Sequence, residues 1–186
     1  MVFHMPPTEL ITNRVSLRLI TEVDYQNIHH LLSFPEVDRY NTLGIPATIA
    51  ETIKINEPFV LANRSGEKYT FGAFLKESDT FIGLICINPN RPSYKSAELW
   101  FKYLPTVWGK GIGTEVLNCI LDFCFDELKF HRVEAGCAID NIGSLKVMEK
   151  AGMKREGHRR QTLPLKSGWS DNYEYAILDI DRIPSN

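Results

Sequence analysis

A run of three alternate glycines, Gly109, Gly111 and Gly113, constrains this sequence more than any other feature. It separates residues 97–104, which read as a strand, from residues 113–128, whose apolar side chains recur at helical spacing. Without Cβ atoms, such a turn bends tightly and lets a ligand approach the backbone. The N-terminus of the following helix carries about half a positive charge and favours an anion. The arrangement predicts a phosphate or pyrophosphate site, although the glycine run alone would be more typical of a ligand-free connection.

The spacing of the glycines excludes two common phosphate loops. A Walker A loop requires Gly-x4-Gly-Lys-Ser/Thr, and the dinucleotide fingerprint requires Gly-x-Gly-x-x-Gly; neither run occurs here. No pair of carboxylates is placed to hold Mg²⁺ beside a nucleotide. A kinase-like nucleotide protein is therefore a weak alternative, which tight binding of ATP would favour.

Composition limits the class of protein further. The 186 residues are 44% hydrophobic and 24% charged, with a net charge of -2, which suits one globular domain over residues 1–186 and argues against a nucleic-acid surface. No apolar run approaches the ~20 residues of a membrane span, and residues 1–12 predict an irregular start without a signal peptide. The four cysteines lack metal-ligand spacing, so we expect buried, reduced thiols, no metal site and a cytoplasmic protein; they are Cys86, Cys119, Cys124 and Cys137.

Periodicity and capping residues place the remaining elements. Strand–helix–strand order predicts that residues 97–104 and 132–139 pair in parallel, and hairpins predict antiparallel pairing elsewhere. The sequence therefore predicts a mixed α/β sheet. Strands are expected at residues 14–19, 69–75, 81–87, 97–104, 132–139, from 153 onward and at 173–178, and helices at 21–32, 48–61, 113–128 and 143–151.

Two motifs carry a family resemblance. The run Trp108-Gly109-Lys110-Gly111-Ile112-Gly113-Thr114-Glu115 resembles motif A of the GNAT N-acetyltransferase superfamily, and residues 141–153 resemble its motif B, at a separation that suits one helix and one strand. Residues 97–101, 169–171 and 175–178 resemble the RimJ/RimL-like branch, which acetylates the N-termini of ribosomal proteins. The resemblance implies a single-domain α/β (α+β) GNAT fold. Its twisted, mostly antiparallel sheet would have about seven strands with a splayed central parallel pair, and about four helices would cover it.

The resemblance implies acetyl-CoA as co-substrate and no metal. Two strands would splay apart and hold the pantetheine arm against backbone N–H and C=O groups, and the glycine turn would hold the pyrophosphate. Asn141 would cap a helix and also contact the cofactor, while the Ser144 hydroxyl would face the thioester. The expected cofactor-binding residues are Phe101, Lys102, Tyr103, Trp108, Gly109, Lys110, Gly111, Ile112, Gly113, Thr114, Asn141 and Ser144.

Two positions depart from the family pattern. Met148 stands where many GNAT enzymes have a tyrosine that protonates the departing thiolate, and methionine cannot donate a proton. Ser144 is the substitute that we expect, as a hydrogen-bond donor to sulfur; a thiol titrates near ~8.5, so the thiolate needs little help. Trp108 replaces the Gln or Arg of much of the superfamily, but the RimJ/RimL-like branch has Trp there.

The acceptor amine must be neutral before it can attack. At pH 7 deprotonation costs about 1.4 kcal/mol for an α-amino group and about 4.6 kcal/mol for a lysine. Glu98, a carboxylate within an apolar run, is the first candidate base through a water, and Asp171 is the second. An ion pair for Glu98 and a turn role for Asp171 are the structural alternatives. His131 and His158 are weaker candidates, and residues that could line the acceptor site are Arg39, Tyr40, Arg91, Tyr94 and Trp169.

The sequence therefore predicts an acetyl-CoA-dependent N-acetyltransferase whose acceptor is a protein N-terminal α-amino group. A polyamine or aminoglycoside acceptor, with the same mechanism, stays open as an alternative. A GNAT-like module that binds acetyl-CoA without turnover also stays open because of Met148. Neither nucleic acid nor a membrane is expected as a partner, and the family allows a homodimer.

Overall fold

An eight-stranded sheet forms the centre of the molecule. The computed structural model describes residues 9–182, and the sheet has the strand order β1-β2-β3-β4-β5-β6-β8-β7. The strands are β1 (Leu10–Ile11), β2 (Val15–Leu19), β3 (Tyr69–Leu75), β4 (Thr80–Pro89), β5 (Ser96–Tyr103), β6 (Arg132–Ala138), β7 (Lys154–Leu165) and β8 (Gly168–Leu178). The helices are α1 (Tyr25–Leu32), α2 (Pro35–Asp38), α3 (Ile49–Ser65), α4 (Ile112–Asp122) and α5 (Ile142–Lys150).

The parallel pairing of β5 with β6 confirms the prediction from the strand–helix–strand order, and the other neighbours pair antiparallel. The sheet has eight strands instead of about seven because Leu10–Ile11 pairs with β2. That segment belongs to residues 1–12, which the sequence predicts to be irregular; residues 1–8 lie outside the described part. A strand of two residues is too short to show the alternation of polar and apolar residues. It forms because it pairs with β2.

Three helical details differ from the prediction. The short helix α2 follows Phe34 directly, where the sequence predicts only a helix stop; its Pro35 is at the first helical position, which tolerates proline. Helix α3 continues past Pro58 to Ser65 and ends at Gly66 with φ 71°. Helix α4 ends at Asp122 and passes into a π-helical turn, Phe123–Glu127.

The two faces of the sheet carry separate apolar clusters. One face packs against α4 and α5, through side chains such as Val116 and Leu145. The other packs against α1 and α3, through side chains such as Ile28 and Val60. Burial of each large apolar side chain stabilises the fold by about 1.5–3 kcal/mol. Helices thus cover the sheet on both faces, so a ligand can enter it only where two neighbouring strands separate.

The opening lies between β5 and β6. Their parallel pairing runs only from Ser96 opposite Arg132 to Leu99 opposite Ala135, although β5 continues to Tyr103 and β6 to Ala138. On its other side β5 stays paired with β4 as far as Tyr103 opposite Gly83. The two strands therefore splay in the direction of α4, as the family resemblance predicts.

Across residues 9–182, no helix combines the length and apolar character that crossing a bilayer requires. In the same residues, no cluster of three or more His, Cys, Asp or Glu side chains could hold a metal ion. All four cysteines are free thiols.

Candidate active site

One large cavity of about 910 Å³ begins where β5 and β6 separate. The glycine turn and the first turns of α4 and α5 line one half, which we call the cofactor half, through Trp108, Gly109, Asn141 and Ser144 among others. The segment from α1 to α3 lines the other half, which we call the acceptor half, together with side chains of β4 and β5. A ligand in the gap between the strands would therefore reach both faces of the sheet.

The glycine turn leaves backbone amides open to the cofactor half. Gly109 and Gly111 have φ values of 71° and 78°, and a Cβ on Gly109 would meet nothing within 4 Å. Gly111 is the N-cap of α4 and has no side chain to accept hydrogen bonds from the first-turn amides. Such a helix end is suited to an anion. Gly113 has another purpose, since its Cβ would lie 3.1 Å from Val147 and 3.4 Å from Tyr103, so that glycine lets α4 pack closely.

Trp108 closes the turn against the end of β5. Its indole Nε1 donates a 2.8 Å hydrogen bond to the Tyr103 carbonyl, although the residue is 48% exposed. The tryptophan thus fixes the distance between the glycine turn and the splayed strand, which a sequence motif alone does not reveal.

A side chain that the sequence analysis missed holds the turn from behind. Arg14 donates to the Lys110 carbonyl (3.0 Å) and to Glu115 (2.7 Å), and Thr12 donates to Glu115 (2.6 Å). Burial alone would raise the pKa of Glu115, but the hydrogen bonds from Thr12 and Arg14 outweigh it and lower the pKa below its usual value. This network joins residues about one hundred positions apart, so no local pattern could have predicted it.

We expect Arg14→Ala to raise the KM for acetyl-CoA about 10-fold and to change kcat much less, since the turn would lose charge-assisted hydrogen bonds that hold it in place. Steady-state kinetics would measure both constants. Arg18→Ala is the matched control, because Arg18 on β2 pairs with the exposed Asp79 and lies over the Phe74 ring, at a distance from the glycine turn. Equal effects of the two substitutions would contradict a positioning role for Arg14.

Asn141 and Ser144 meet at the start of α5. The Asn141 side chain accepts a 3.2 Å hydrogen bond from the Ser144 amide, which confirms its role as N-cap, and both residues line the cavity. Met148, one turn further, also lines the cavity and is 1% exposed. Ser144 is therefore the hydroxyl that this helix offers to the cavity beside Met148.

Two residues of the predicted cofactor set do not line the cavity. Ile112 is buried in the core between α4 and the sheet, and Lys110 presents its carbonyl to Arg14 on the far side of the turn. Only the backbone of these two residues is available to the turn. Motif matching cannot separate them from their neighbours, because alternate residues of a tight turn face opposite ways.

Neither predicted carboxylate base reaches the cavity lining. Glu98 is exposed on β5, and its apolar neighbours Ala97 and Leu99 point to the opposite face, as strand alternation requires. Strand alternation therefore explains why a carboxylate occurs within an apolar run of the sequence.

Asp171 holds the β7–β8 hairpin. It accepts hydrogen bonds from the Gln161 amide (2.9 Å) and from His158 (2.6 Å), and these bonds lower the pKa of Asp171 below its usual value. Gln161 has a φ of 49°, within a register shift of β7. These contacts show that Asp171 has the turn role that was its structural alternative. His131 pairs with Asp179 away from the cavity.

Some of the residues predicted to line the acceptor site do line the cavity, and others do not. Arg39 and Tyr40 line the acceptor half, whereas Arg91, Tyr94 and Trp169 do not. Lys102 and Trp100 also line it, although the role predicted for Lys102 concerned its backbone alone. Burial lowers the pKa of Lys102 to about 8, against an opposing attraction to Asp38.

The match to a family model decides the identity of the fold. Residues 14–154 match the model of the acetyltransferase (GNAT) domain. The chain belongs to the GNAT acetyltransferase family. It is an acyltransferase, and the resemblance stated from motifs A and B is confirmed.

Known GNAT proteins resemble the chain over almost all its length. An uncharacterized N-acetyltransferase, YnaD, of Bacillus subtilis is 30% identical over 91% of this chain and 96% of its own. The ribosomal protein uS5-alanine N-acetyltransferase of Escherichia coli is 23% identical over 97% and 96%. The structure of spermidine N-acetyltransferase from Vibrio cholerae, in complex with coenzyme A and spermine, superposes with a TM-score of 0.80 at 21% identity, over 90% of this chain and 97% of that one.

The cofactor half of this GNAT domain fits coenzyme A chemically. The uncapped N-terminus of α4 suits a pyrophosphate, and the open space before Gly109 leaves room for it. Tyr103 is one of the residues that line the cavity, and its hydroxyl is buried without a hydrogen-bond partner in residues 9–182. A buried hydroxyl without a partner is costly unless a ligand supplies one.

Proposed function

We propose that this GNAT enzyme transfers an acetyl group from acetyl-CoA to the α-amino group of a protein N-terminus. The observation that carries the proposal is the separation of β5 from β6 beyond Leu99, directly in front of the uncapped start of α4. An extended pantetheine arm would replace the missing strand partner, and the pyrophosphate would meet the turn amides.

The residues of the gap have complementary tasks in this proposal. The backbone of Phe101, Lys102 and Tyr103 would hold the pantetheine, since the pairing with β6 has ended there. The backbone of the turn from Trp108 to Thr114 would hold the phosphates, and Asn141 would contact the cofactor beside its capping bond. Holding amine and thioester in contact can supply about 7–11 kcal/mol of the barrier.

The reaction in this proposal is direct attack. The neutral amine nitrogen forms a bond to the thioester carbonyl carbon, the carbon–sulfur bond breaks, the amine loses one proton, and the thiolate that leaves takes one up. Cys137 lines the cavity and is the cysteine that could form an acetyl-enzyme there, but burial raises the pKa of this thiol to about 12. A thiol that stays protonated at neutral pH is a poor nucleophile, which supports transfer without a covalent intermediate.

Ser144 is the residue that we propose as hydrogen-bond donor to the departing sulfur. We expect Ser144→Ala to lower kcat about 10-fold and to leave the KM for acetyl-CoA nearly unchanged, because the bond would strengthen only as charge develops on sulfur. Ser144→Thr keeps a hydroxyl at the same position and should retain most of the activity. Full activity of Ser144→Ala across pH 6–9 would remove Ser144 from the mechanism.

An α-amino group suits this site because it needs little help from a base. Glu98 and Asp171 lie outside the lining, and an α-amine needs only about 1.4 kcal/mol to lose its proton at pH 7. A polyamine is the second candidate acceptor, since Glu36 places a carboxylate at the acceptor half and the spermidine enzyme of Vibrio cholerae shares the fold.

Two measurements test the proposal. Calorimetry should show binding of coenzyme A and none of ATP, and the reverse result would contradict it. A thiol-release assay with acetyl-CoA should then show turnover with N-terminal peptides above that with spermidine or an aminoglycoside. Binding of acetyl-CoA without release of thiol for any of these amines would instead indicate a non-catalytic sensor.

The thiols of the protein suggest its compartment. Four free thiols in the described structure suit a reducing compartment, so we place the enzyme in the cytoplasm.

The edges of the sheet suggest how two copies would assemble. The sheet ends in the edge strands β1 and β7, and a homodimer could form along such an edge. Light scattering during gel filtration would give the mass in solution, and a monomer at all concentrations would contradict a dimer.

A further inference from the structure

Lys102 is the charged side chain that β5 contributes to the acceptor half. It follows Glu98 and Trp100 on the same face of the strand, which is the face covered by α1 and α3. Its ammonium lies 5.8 Å from the centre of the ring of Trp100, the first residue of β5 beyond the point where the two strands separate. An acceptor that reaches this point passes beside Lys102.

The charge of Lys102 has no close counter-ion in the described residues. Its strongest charged neighbour is Asp38, whose attraction is too weak to offset the desolvation of the ammonium, and no carboxylate of residues 9–182 forms an ion pair with it. Asp38 itself is buried, is not part of the cavity lining and has an Oδ1 without a hydrogen-bond partner. Lys102 is thus a partly buried cation that faces a cavity.

The other charges nearby do not change this balance. Glu36 and Arg39 line the acceptor half from the α2 segment, are both exposed and carry opposite signs. Glu98, on the strand of Lys102, is exposed outside the lining, and the lining residues of α3 and β4 are uncharged. On the cofactor side the charged lining residues are Asp140, Lys146 and Lys150.

We propose that Lys102 selects the acceptor by binding a carboxylate that the acceptor carries beside its reacting amine. An anion would supply the partner that this desolvated ammonium lacks, and charge-assisted hydrogen bonds are the strong ones in such surroundings. The same charge repels a second ammonium, which disfavours a polyamine, and it lowers the pKa of the reacting amine, which favours its neutral form. The inference rests on the proposed function, since it assumes an amine acceptor in this half of the cavity.

Paired acceptors test the proposal through thiol release from acetyl-CoA. The first pair consists of peptide amides that begin Ser-Asp and Ser-Asn, and it tests a side-chain carboxylate. The second pair, serine and serinamide, tests an α-carboxylate. Spermidine is the third kind of acceptor. We expect the carboxylate member of at least one pair to have a kcat/KM about 10- to 100-fold higher, the value of one charge-assisted hydrogen bond. Equal rates within both pairs, or a preference for spermidine, would overturn the proposal.

Variants assign the preference to Lys102. Lys102→Met should abolish it, Lys102→Arg should keep most of it, and Lys146→Met, on the cofactor side, should leave it unchanged. A preference that survives Lys102→Met overturns the proposal. So does an equal loss of rate toward every acceptor in Lys102→Met and Lys102→Arg with a changed pH profile, because that result would make Lys102 a proton acceptor.

A measurement without turnover keeps the two proposals separate. Reductive methylation of Lys102, followed by peptide mass spectrometry with Lys146 as internal reference, should be slowed about 10-fold by saturating N-acetylserine and not by N-acetylserinamide. Equal rates of methylation with the two probes would overturn the role of Lys102 even if the protein bound coenzyme A. Absence of coenzyme A binding with a clear difference between the probes would instead contradict the proposed function alone.

Discussion

We expect the Gly109→Asp variant to bind coenzyme A about 100-fold more weakly than the Gly109→Asn variant, with both proteins folded. Asn and Asp have the same shape and tolerate the φ of 71° at this position better than other side chains. A Cβ here meets no atom within 4 Å, so the new side chain would enter the space in which we place the pyrophosphate. Two like charges about 6 Å apart repel by roughly 3 kcal/mol at an effective dielectric constant of 20, which corresponds to about 100-fold in affinity.

Calorimetric titration with coenzyme A would measure the two dissociation constants, and the difference should shrink with added salt because screening weakens the repulsion. The Asn variant controls for the side-chain volume and for the backbone strain. Equal affinities of the two variants would mean that the phosphates bind elsewhere, and the assignment of the glycine turn would then be wrong.

The Gly83→Ala substitution is expected to destabilise the fold by about 3 kcal/mol or more. Gly83 lies on β4 opposite Tyr103, and a Cβ would come within 2.3 Å of the Lys102 carbonyl oxygen and 2.9 Å of the Tyr103 Cα. These are backbone atoms, so the added methyl group would have to separate β4 from β5 at the edge of the gap. For a domain of this size the melting temperature should fall by about 6–12 °C.

Thermal unfolding of the protein without ligands would measure this effect. Gly143→Ala is the matched control, since its Cβ would meet only the Asn141 side chain at 3.8 Å within helix α5. There the same substitution should raise stability by about 0.4–1 kcal/mol, because alanine restricts the unfolded chain. A similar melting temperature for Gly83→Ala and the unsubstituted protein would show that β4 and β5 can move apart at little cost.

Local features of the site were predictable from the sequence because short-range forces create them. The glycine turn, the start of the helix that follows it and the Asn141 cap depend on residues within one or two turns of chain, and all three occur where predicted. The same holds for β3, whose bounds agree with the prediction, and for the parallel pair, because a single helix connects its strands.

Features that depend on which side chains meet across the sheet could not be predicted in this way. Glu98 is a candidate base in the sequence because it stands among apolar residues. In the fold it lies where β5 is still paired with β6, opposite Glu134, and it is exposed outside the cavity lining. The Asp171 carboxylate accepts hydrogen bonds from Gln161 and His158 instead. A register shift in β7 makes these contacts possible, and no sequence pattern predicts that shift.

The sequence by itself determined the class of fold and the turn that suits a phosphate, since these follow from glycine conformations, capping and periodicity within short stretches. Only the tertiary structure decided what surrounds that turn. Arg14 reaches Lys110 and Glu115 because β1 and β2 are folded beside the start of α4. Lys102 faces the acceptor half because β5 stays paired with β4 while it leaves β6. Contacts between distant parts of the chain depend on how whole elements pack, and that packing is a property of the complete fold.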